Sequence, residues 1–278
     1  MTPESGAYAS QYLRDNDRDR YFATLVLPPK ERAAVTALYA FNADIASVRE
    51  RAREPAAGEI RLQWWADALT GSGHGNVRQN PLADALLSVV AEYGLPTPPL
   101  TRMISARRFD LYQDPMPDLP TFEGYAGETV SALYQLGAMI LNGGKPVETG
   151  DAAGHLGVAH ALTGHLRAFG YNASHGRIFL PWQVFEVCGV KEGEVLAGQP
   201  TDGIAVALTK LADTAGEHLD RAATAIAALP REPRPAFAPV SLLRLQLKRL
   251  DTDAPFQRHN DIADWRKLVA MSWWRMTH

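Results

Sequence analysis

Apolar residues recur three and four apart along almost the whole chain, and stretches with a period of two are scarce. The clearest stripe is Ile204, Leu208, Leu211, Ala215, Leu219, Ala222, Ile226 and Leu229, with Asp213, Glu217, Asp220 and Arg221 mostly off it. That spacing predicts a helix over 203–229. The same period predicts helices over 31–53, 58–70, 80–94, 98–113, 120–143, 150–170 and 260–276. Prolines and glycines separate them: Pro28-Pro29, Gly71 to Gly75, Pro96 to Pro99, Pro115 to Pro120, Gly143-Gly144, Pro181, Pro200, and Pro230 to Pro239. No internal repeat or long low-complexity linker interrupts the series. The roughly forty residues after Pro239 are too few for a stable domain of their own. The expected fold is all-α, one domain over residues 1–278 with its last helices packed back onto it.

The helix predicted over 31–53 is apolar nearly all the way round. Leu38, Phe41, Ile45 and Val48 share one face, and alanines fill much of the rest. A helix of this kind is contacted from several sides. Asn42, Ala46 and Glu50 sit four apart and share a stripe on it. A polar stripe on a central helix faces a pocket or the open end of a groove.

Composition narrows the class without naming a function. Of 278 residues, 46% are hydrophobic and 21% charged, as in ordinary globular proteins. A net charge of −3 with no long basic run argues against a nucleic-acid partner. The single cysteine, Cys188, allows no internal disulfide and fits a reducing compartment. The opening MTPESGAYASQYLRDNDRDR has neither the apolar core of a secretory leader nor the acid-poor character of a transit peptide. The strongest apolar run, 129–141, is shorter than the about 20 residues a bilayer requires. These features point to a cytoplasmic protein, free or peripheral on the inner face of the cytoplasmic membrane. From residue 241 onward there are seven Lys/Arg against four Asp, and Trp273 and Trp274 lie among them. Two readings stay open there: a basic helix lying on an anionic membrane, or a last helix packed on the core with a basic outer face.

Few motifs carry chemistry. His155, His160 and His165 are spaced by five, which turns the helix face by about 140° each time, whereas ligands on a helix want three or four. They read as scattered histidines. No C-x-x-C, H-E-x-x-H, P-loop or G-x-S-x-G elbow is present.

The strings LPPKERAAVTALYAF, residues 27–41, and HGRIFLP, residues 175–181, resemble the squalene/phytoene synthase family. The resemblance implies an isoprenoid-synthase-like helical bundle around a central cavity. In catalytic members two facing helices carry acidic motifs whose carboxylates hold magnesium against a diphosphate. Magnesium prefers an octahedron of oxygens and is recruited by carboxylates plus substrate phosphates. Laid over this chain, the first motif falls at 46–51, where Ala46, Ser47, Val48, Arg49, Glu50 and Arg51 stand. The second calls for aspartates at 168 and 172, where Ala168 and Asn172 stand, while Arg167, Gly176 and Arg177 are retained. Asp44 turns about 200° away from the stripe, and Asp110 and Glu128 lie on other helices. Metal-ion catalysis is worth several kcal/mol, and each 1.36 kcal/mol is about tenfold in rate. Efficient ionisation of an allylic diphosphate is therefore not expected. No catalytic residue, metal ligand or cofactor is assigned, and magnesium enters only if the chain is a transferase after all.

Longer strings resemble the non-catalytic branch of that family, typified by the phytoene-synthase-like respiratory complex I assembly factor. They are YFATLVLPPKERAAVTALYAFNADIASVRE, EIRLQWWADAL, YAGETVSALYQLGAMIL and GRIFLPWQVFEVCGV, and the resemblance runs from about residue 8 to the closing tryptophans. The resemblance implies complex I subunits or assembly intermediates as partners, and the missing presequence fits a bacterial counterpart. It also implies a vestigial pocket lined by Phe41, Asn42, Ala46, Glu50, Tyr125, Thr129, Ser131, Ala168 and Asn172. Arg167 and Arg177 would grip a phosphate or carboxylate there, unless they pair with nearby acids. Thr129 has a second reading, a bond to the carbonyl one turn earlier on its own helix. Two other functions remain open: a head-to-head isoprenyl transferase with a rebuilt metal site, and a carrier of an apolar lipid or isoprenoid.

Overall fold

The computed structural model describes residues 1–73, 75–257 and 261–278, and no strand occurs among them. The chain opens with two helices that the apolar period does not announce, α1 (Pro3–Asn16) and α2 (Arg18–Leu25). Their signals are caps rather than stripes. The Thr2 hydroxyl accepts from the Ser5 amide, and Asp17 accepts from the Arg20 amide. Only Ser5, Ala9 and Leu13 of α1 are buried, one narrow line at i, i+4 and i+8.

Next comes α3 (Pro29–Ala46), in which every residue from Ala34 to Ala43 is buried. The helix predicted over 31–53 is in two pieces, and α4 (Val48–Arg51) follows after a break at Ser47. The cause is local. The Ser47 hydroxyl (2.9 Å) and the Arg51 guanidinium (2.7 Å) both donate to the Asp44 carbonyl that the next turn would use.

Helix α5 (Pro55–Thr70) buries Trp65 and leaves Trp64 half-buried, as expected for adjacent aromatics about 100° apart. Helices α6 (Pro81–Tyr93) and α7 (Thr97–Ala106) follow. The helix predicted to 113 stops at 106, and a 3-10 turn at Phe109–Leu111 replaces its last part. The span predicted as one helix over 120–143 is α8 (Leu119–Ala126), a π turn at Gly127–Ser131, and α9 (Ala132–Leu141).

Helix α10 (Gly150–Arg167) packs along the π turn at contact distance. A Cβ built on Gly157 would sit 2.0 Å from the Ser131 hydroxyl, so only glycine fits there. The stretch predicted over 150–170 breaks at Ala168 and resumes as α11 (Phe169–Ser174); no side chain accounts for this second break. Two short helices missed by the apolar period come next, α12 (Trp182–Val187) and α13 (Glu192–Leu196). The longest, α14 (Asp202–Ala228), lies along α10 and buries the stripe from Ile204 to Ile226. Helix α15 (Pro239–Leu247) was also unannounced. The last, α16 (Asp264–Thr277), begins later than predicted, and the expected start at Asn260 lies outside the described residues, as does His74 in the Gly71–Gly75 stop. One large apolar cluster joins α1, α3, α5–α10 and α14, with α3 at its centre. No described helix is long and apolar enough to cross a membrane.

Candidate functional site

The two interrupted helices, α3–α4 and α10–α11, form two walls that meet through one cation. Arg49 on α4 donates through Nη2 to Asn172 Oδ1 on α11 at 3.2 Å, and its guanidinium lies 4.1 Å from the centre of the Phe179 ring. Behind Phe179 stands His165, stacked on it at 5.2 Å and edge-on to Phe122 at 5.9 Å. Burial pushes the His165 imidazole down to about 3, helped by the positive charges of Arg49 and Arg107, so it is neutral at physiological pH. Arg49, Phe179, His165 and Phe122 thus form a row of successive contacts.

The residues expected to line a pocket divide around this contact. Asn172 is buried and bonded to Arg49. Ala46 and Ala168 are half-buried and contribute methyl groups only, while Glu50 is exposed. The break at Ser47 takes Glu50 out of register with Asn42 and Ala46, so the three do not form one inward stripe. Phe41 is fully buried and packs edge-on against Trp65 at 4.9 Å. Asn42 is 2% exposed, and its Oδ1 has no hydrogen-bond partner among the described residues. The Thr129 hydroxyl donates to the Tyr125 carbonyl at 2.7 Å, one turn earlier on its own segment. Ser131 donates to the Gly154 carbonyl on α10 at 3.3 Å. Both hydroxyls hold the π turn in place.

Other acids near the walls are already engaged. Asp44 accepts from Tyr12 (2.9 Å), Arg51 (2.7 Å) and the Trp65 indole (2.7 Å), tying α1, α4 and α5 together. Asp110, buried on the 3-10 turn, accepts from Tyr125 (2.7 Å) and Arg107 (3.1 Å). Burial, opposed by Arg107, drives the Tyr125 phenol far above its ordinary value. Glu128 pairs with Arg102 at the surface. The donor set for magnesium is therefore two methyl groups, an outward glutamate and an amide oxygen already bonded to a guanidinium. A divalent cation does not fit that set, because Arg49 repels it from the place where the walls meet.

The two arginines retained from the family pattern have different surroundings. Arg167 is held by Asp261 (3.0 Å) and Asp19 (3.5 Å), and both acids also hold the buried Lys267. Of the two readings open for Arg167, its geometry is that of pairing with acids, which come from the two ends of the chain. Arg177 has no ion pair or side-chain hydrogen bond among the described residues. It lines a cleft of about 320 Å³ together with Arg49, Arg53, Asp110, Tyr112 and Gln113. Arg49 is the residue that reading the sequence missed. It lies one position before the only acid left in the first motif, and nothing in the spacing shows that it turns inward until Asn172 is placed opposite.

Comparison with known proteins agrees with the fold and the strings. The squalene/phytoene synthase family model matches residues 13–274. A rat protein named NADH dehydrogenase (ubiquinone) complex I, assembly factor 6 is 30% identical over 248 residues, covering 89% of this chain and 74% of its own. A 15-cis-phytoene synthase from Synechococcus elongatus is 26% identical over 266 residues, covering 90% and 86%. Among solved structures, a dehydrosqualene synthase bound to a ligand superposes with a TM-score of 0.80 at 21% identity, covering 99% of this chain and 96% of that one. The squalene synthase HpnC from Alicyclobacillus acidocaldarius gives 0.69 at 19% identity, covering 99% and 94%. These structures share the isoprenoid-synthase-like fold.

Proposed function

The chain belongs to the squalene/phytoene synthase family, and from that premise we propose that it serves the assembly of respiratory complex I and does not transfer prenyl groups. The single observation that carries this reading is the Arg49 guanidinium between the walls, bonded to Asn172 and stacked on Phe179. A cation built into the chain, with methyl groups at 46 and 168, leaves no charge balance for a magnesium–diphosphate cluster. Relatives named as complex I assembly factors are 29–30% identical and cover most of the chain. Deleting the gene should lower the NADH:quinone activity of membranes while leaving succinate oxidation intact; unchanged NADH:quinone activity would remove the assembly role. Purified protein given farnesyl or geranylgeranyl diphosphate with magnesium should release no diphosphate, and turnover at an enzymatic rate would restore the transferase.

The working place of such a protein is the inner face of the membrane, and α16 supports it. Trp265 (62% exposed), Val269, Trp273 (65% exposed) and Met276 lie along one side of the helix, open to solvent. Arg266 and Arg275 stand on either side of that stripe. Exposed tryptophans flanked by arginines suit the interface of an anionic bilayer. Co-sedimentation with phosphatidylglycerol vesicles, and none with phosphatidylcholine, is the expected result. A Trp265→Ser, Trp273→Ser double variant that sediments like the parent would exclude this surface.

A further inference from the structure

His155 is one of the three histidines spaced by five, and the contact between the walls makes no use of it. It lies on α10 three to four turns before Ala168, roughly 20 Å away along the helix axis. There it meets a histidine from another helix. The Nδ1 atoms of His155 and of His218 on α14 are 3.0 Å apart, with ring centres at 5.0 Å. The far edge of His218 faces Glu123 on α8, whose Oε1 stands 3.4 Å from Nε2. Three helices thus bring two imidazoles and a carboxylate into one row. His155 is half-buried, and the side chains of His218 and Glu123 are 12% and 40% exposed, so packing holds the rings while small solutes reach the row.

The carboxylate decides what the pair can do. It favours the proton of neutral His218 on Nε2, which leaves the Nδ1 lone pair for whatever lies toward His155. A ring with a carboxylate behind it and its other nitrogen offered in front is the arrangement found in metal-bound histidines. The spacing agrees. Two nitrogens bound to one ion at about 2.0–2.1 Å are about 2.8–3.0 Å apart at a right angle and about 3.3–3.4 Å apart at the tetrahedral angle. The observed 3.0 Å falls within that range. Imidazole suits zinc, copper and nickel, whereas magnesium and calcium take oxygen. Arg221, three residues after His218, adds positive charge nearby, and Glu123 offsets it. Among the described residues no three metal-binding side chains gather round one point, so the chain supplies two ligands and water the rest.

We propose that His155 and His218 bind one divalent transition-metal ion through their Nδ1 atoms, with Glu123 as the positioning residue behind His218. The ion takes the place of the proton shared by the two rings, which moves to Nε2 of His155. It ties α10 to α14 away from the walls and is independent of whether the chain transfers prenyl groups.

Zinc titration of the full chain against a chromophoric chelator at neutral pH tests this. The expected result is one site tighter than any left in the His155→Ala, His218→Ala double variant. His155→Ala and His218→Ala should each weaken it by about tenfold or more, and Glu123→Gln by about tenfold. His175→Ala, at an exposed histidine after α11, should leave it unchanged. Copper at one equivalent gives a readout on the unsubstituted chain: its electron paramagnetic resonance should show coupling to two imidazole nitrogens. Coupling to a single nitrogen overturns the site. Equal zinc affinity in the parent and the double variant also overturns it and leaves a plain hydrogen-bonded pair. Equal loss in His175→Ala overturns it in favour of scattered surface histidines, and an unchanged affinity in Glu123→Gln overturns the positioning role.

Discussion

Arg167 and Arg177 stand ten residues apart in one stretch of chain, and both match the family pattern. Around Arg167 every charge is answered. Lys267, 1% exposed, donates to Asp19 and Asp261 at 2.6 Å each, Arg167 reaches the same two acids, and Gln246 donates to Asp19 at 2.6 Å. This clasp joins α2, α10, α15 and α16. Around Arg177 the cations outnumber the acids left to meet them, and a cleft of about 320 Å³ opens beside it. The first arrangement is closed and structural; the second is open and can accept a ligand. The difference lies in what distant segments deliver. Asp19 and Asp261 come from opposite ends of the chain to meet Arg167. Among the described residues no such acid reaches Arg177.

Breaking the clasp should have the largest effect. Lys267→Met leaves Asp19 and Asp261 facing each other without the ammonium. Removing one partner of a buried pair costs about 3–5 kcal/mol, and because Asp261 is half-exposed the lower end is expected here. Urea denaturation checks the value. A loss below about 1 kcal/mol would mean that the clasp is a surface ornament and that the contrast with the cleft is false.

Next in size is Asp44, on α3 of the first wall. Asp44→Ala removes the acceptor of Tyr12, Arg51 and Trp65 together, leaving the buried Trp65 indole without a partner. Hydrogen bonds to a charged group are worth about 1.5–3 kcal/mol and do not add fully, so a loss of about 2–3 kcal/mol is expected in the same assay. A neutral Asp44→Ala would return this acid to the list of groups available to a metal.

The sequence showed one of these regions better than the other. Periodicity located α3, α5, α6, α10 and α14, because each has a broad apolar face and a proline or glycine at its ends. It passed over α1, α2 and α15, whose burial rests on a narrow line or on partners far away in sequence, and over α12 and α13, which are too short for a period to register. The missing carboxylates were legible because a motif fixes which positions to read. The place of Arg49 against Asn172 was not, since it depends on the break at Ser47 and on Asn172 arriving opposite. Arg167 and Arg177 looked alike for the same reason: pairing over ninety residues or more leaves no local trace.

Acid should weaken the clasp and spare the cleft. Asp261 lies below its ordinary value although burial opposes this, because Lys267 and the Ile262 amide bond to its charged form and Arg167 attracts it. A carboxylate depressed in the folded state contributes stability above its unfolded pKa and loses it as pH falls through the folded value. Lys267 is raised by the same two acids against desolvation, so its contribution is present below the ordinary lysine value and is lost as pH rises through the raised one. Stability measured across pH should therefore fall off on both sides in the parent. Lys267→Met should flatten both limbs, and Arg177→Gln should leave both unchanged. An unchanged acid limb in Lys267→Met would mean that other carboxylates control acid unfolding.

The smallest effect on stability is the most informative. Arg177→Gln removes a charge that answers to no acid among the described residues and relieves its repulsion of Arg49. Surface substitutions away from such pairs stay within about ±0.5 kcal/mol, and relief of repulsion places this one on the stabilising side. A gain of stability on its removal is the signature of a group held against folding for function. A structural arginine would lose stability on substitution, so a fall of more than about 1 kcal/mol would make Arg177 the counterpart of Arg167 and remove the distinction between the two regions.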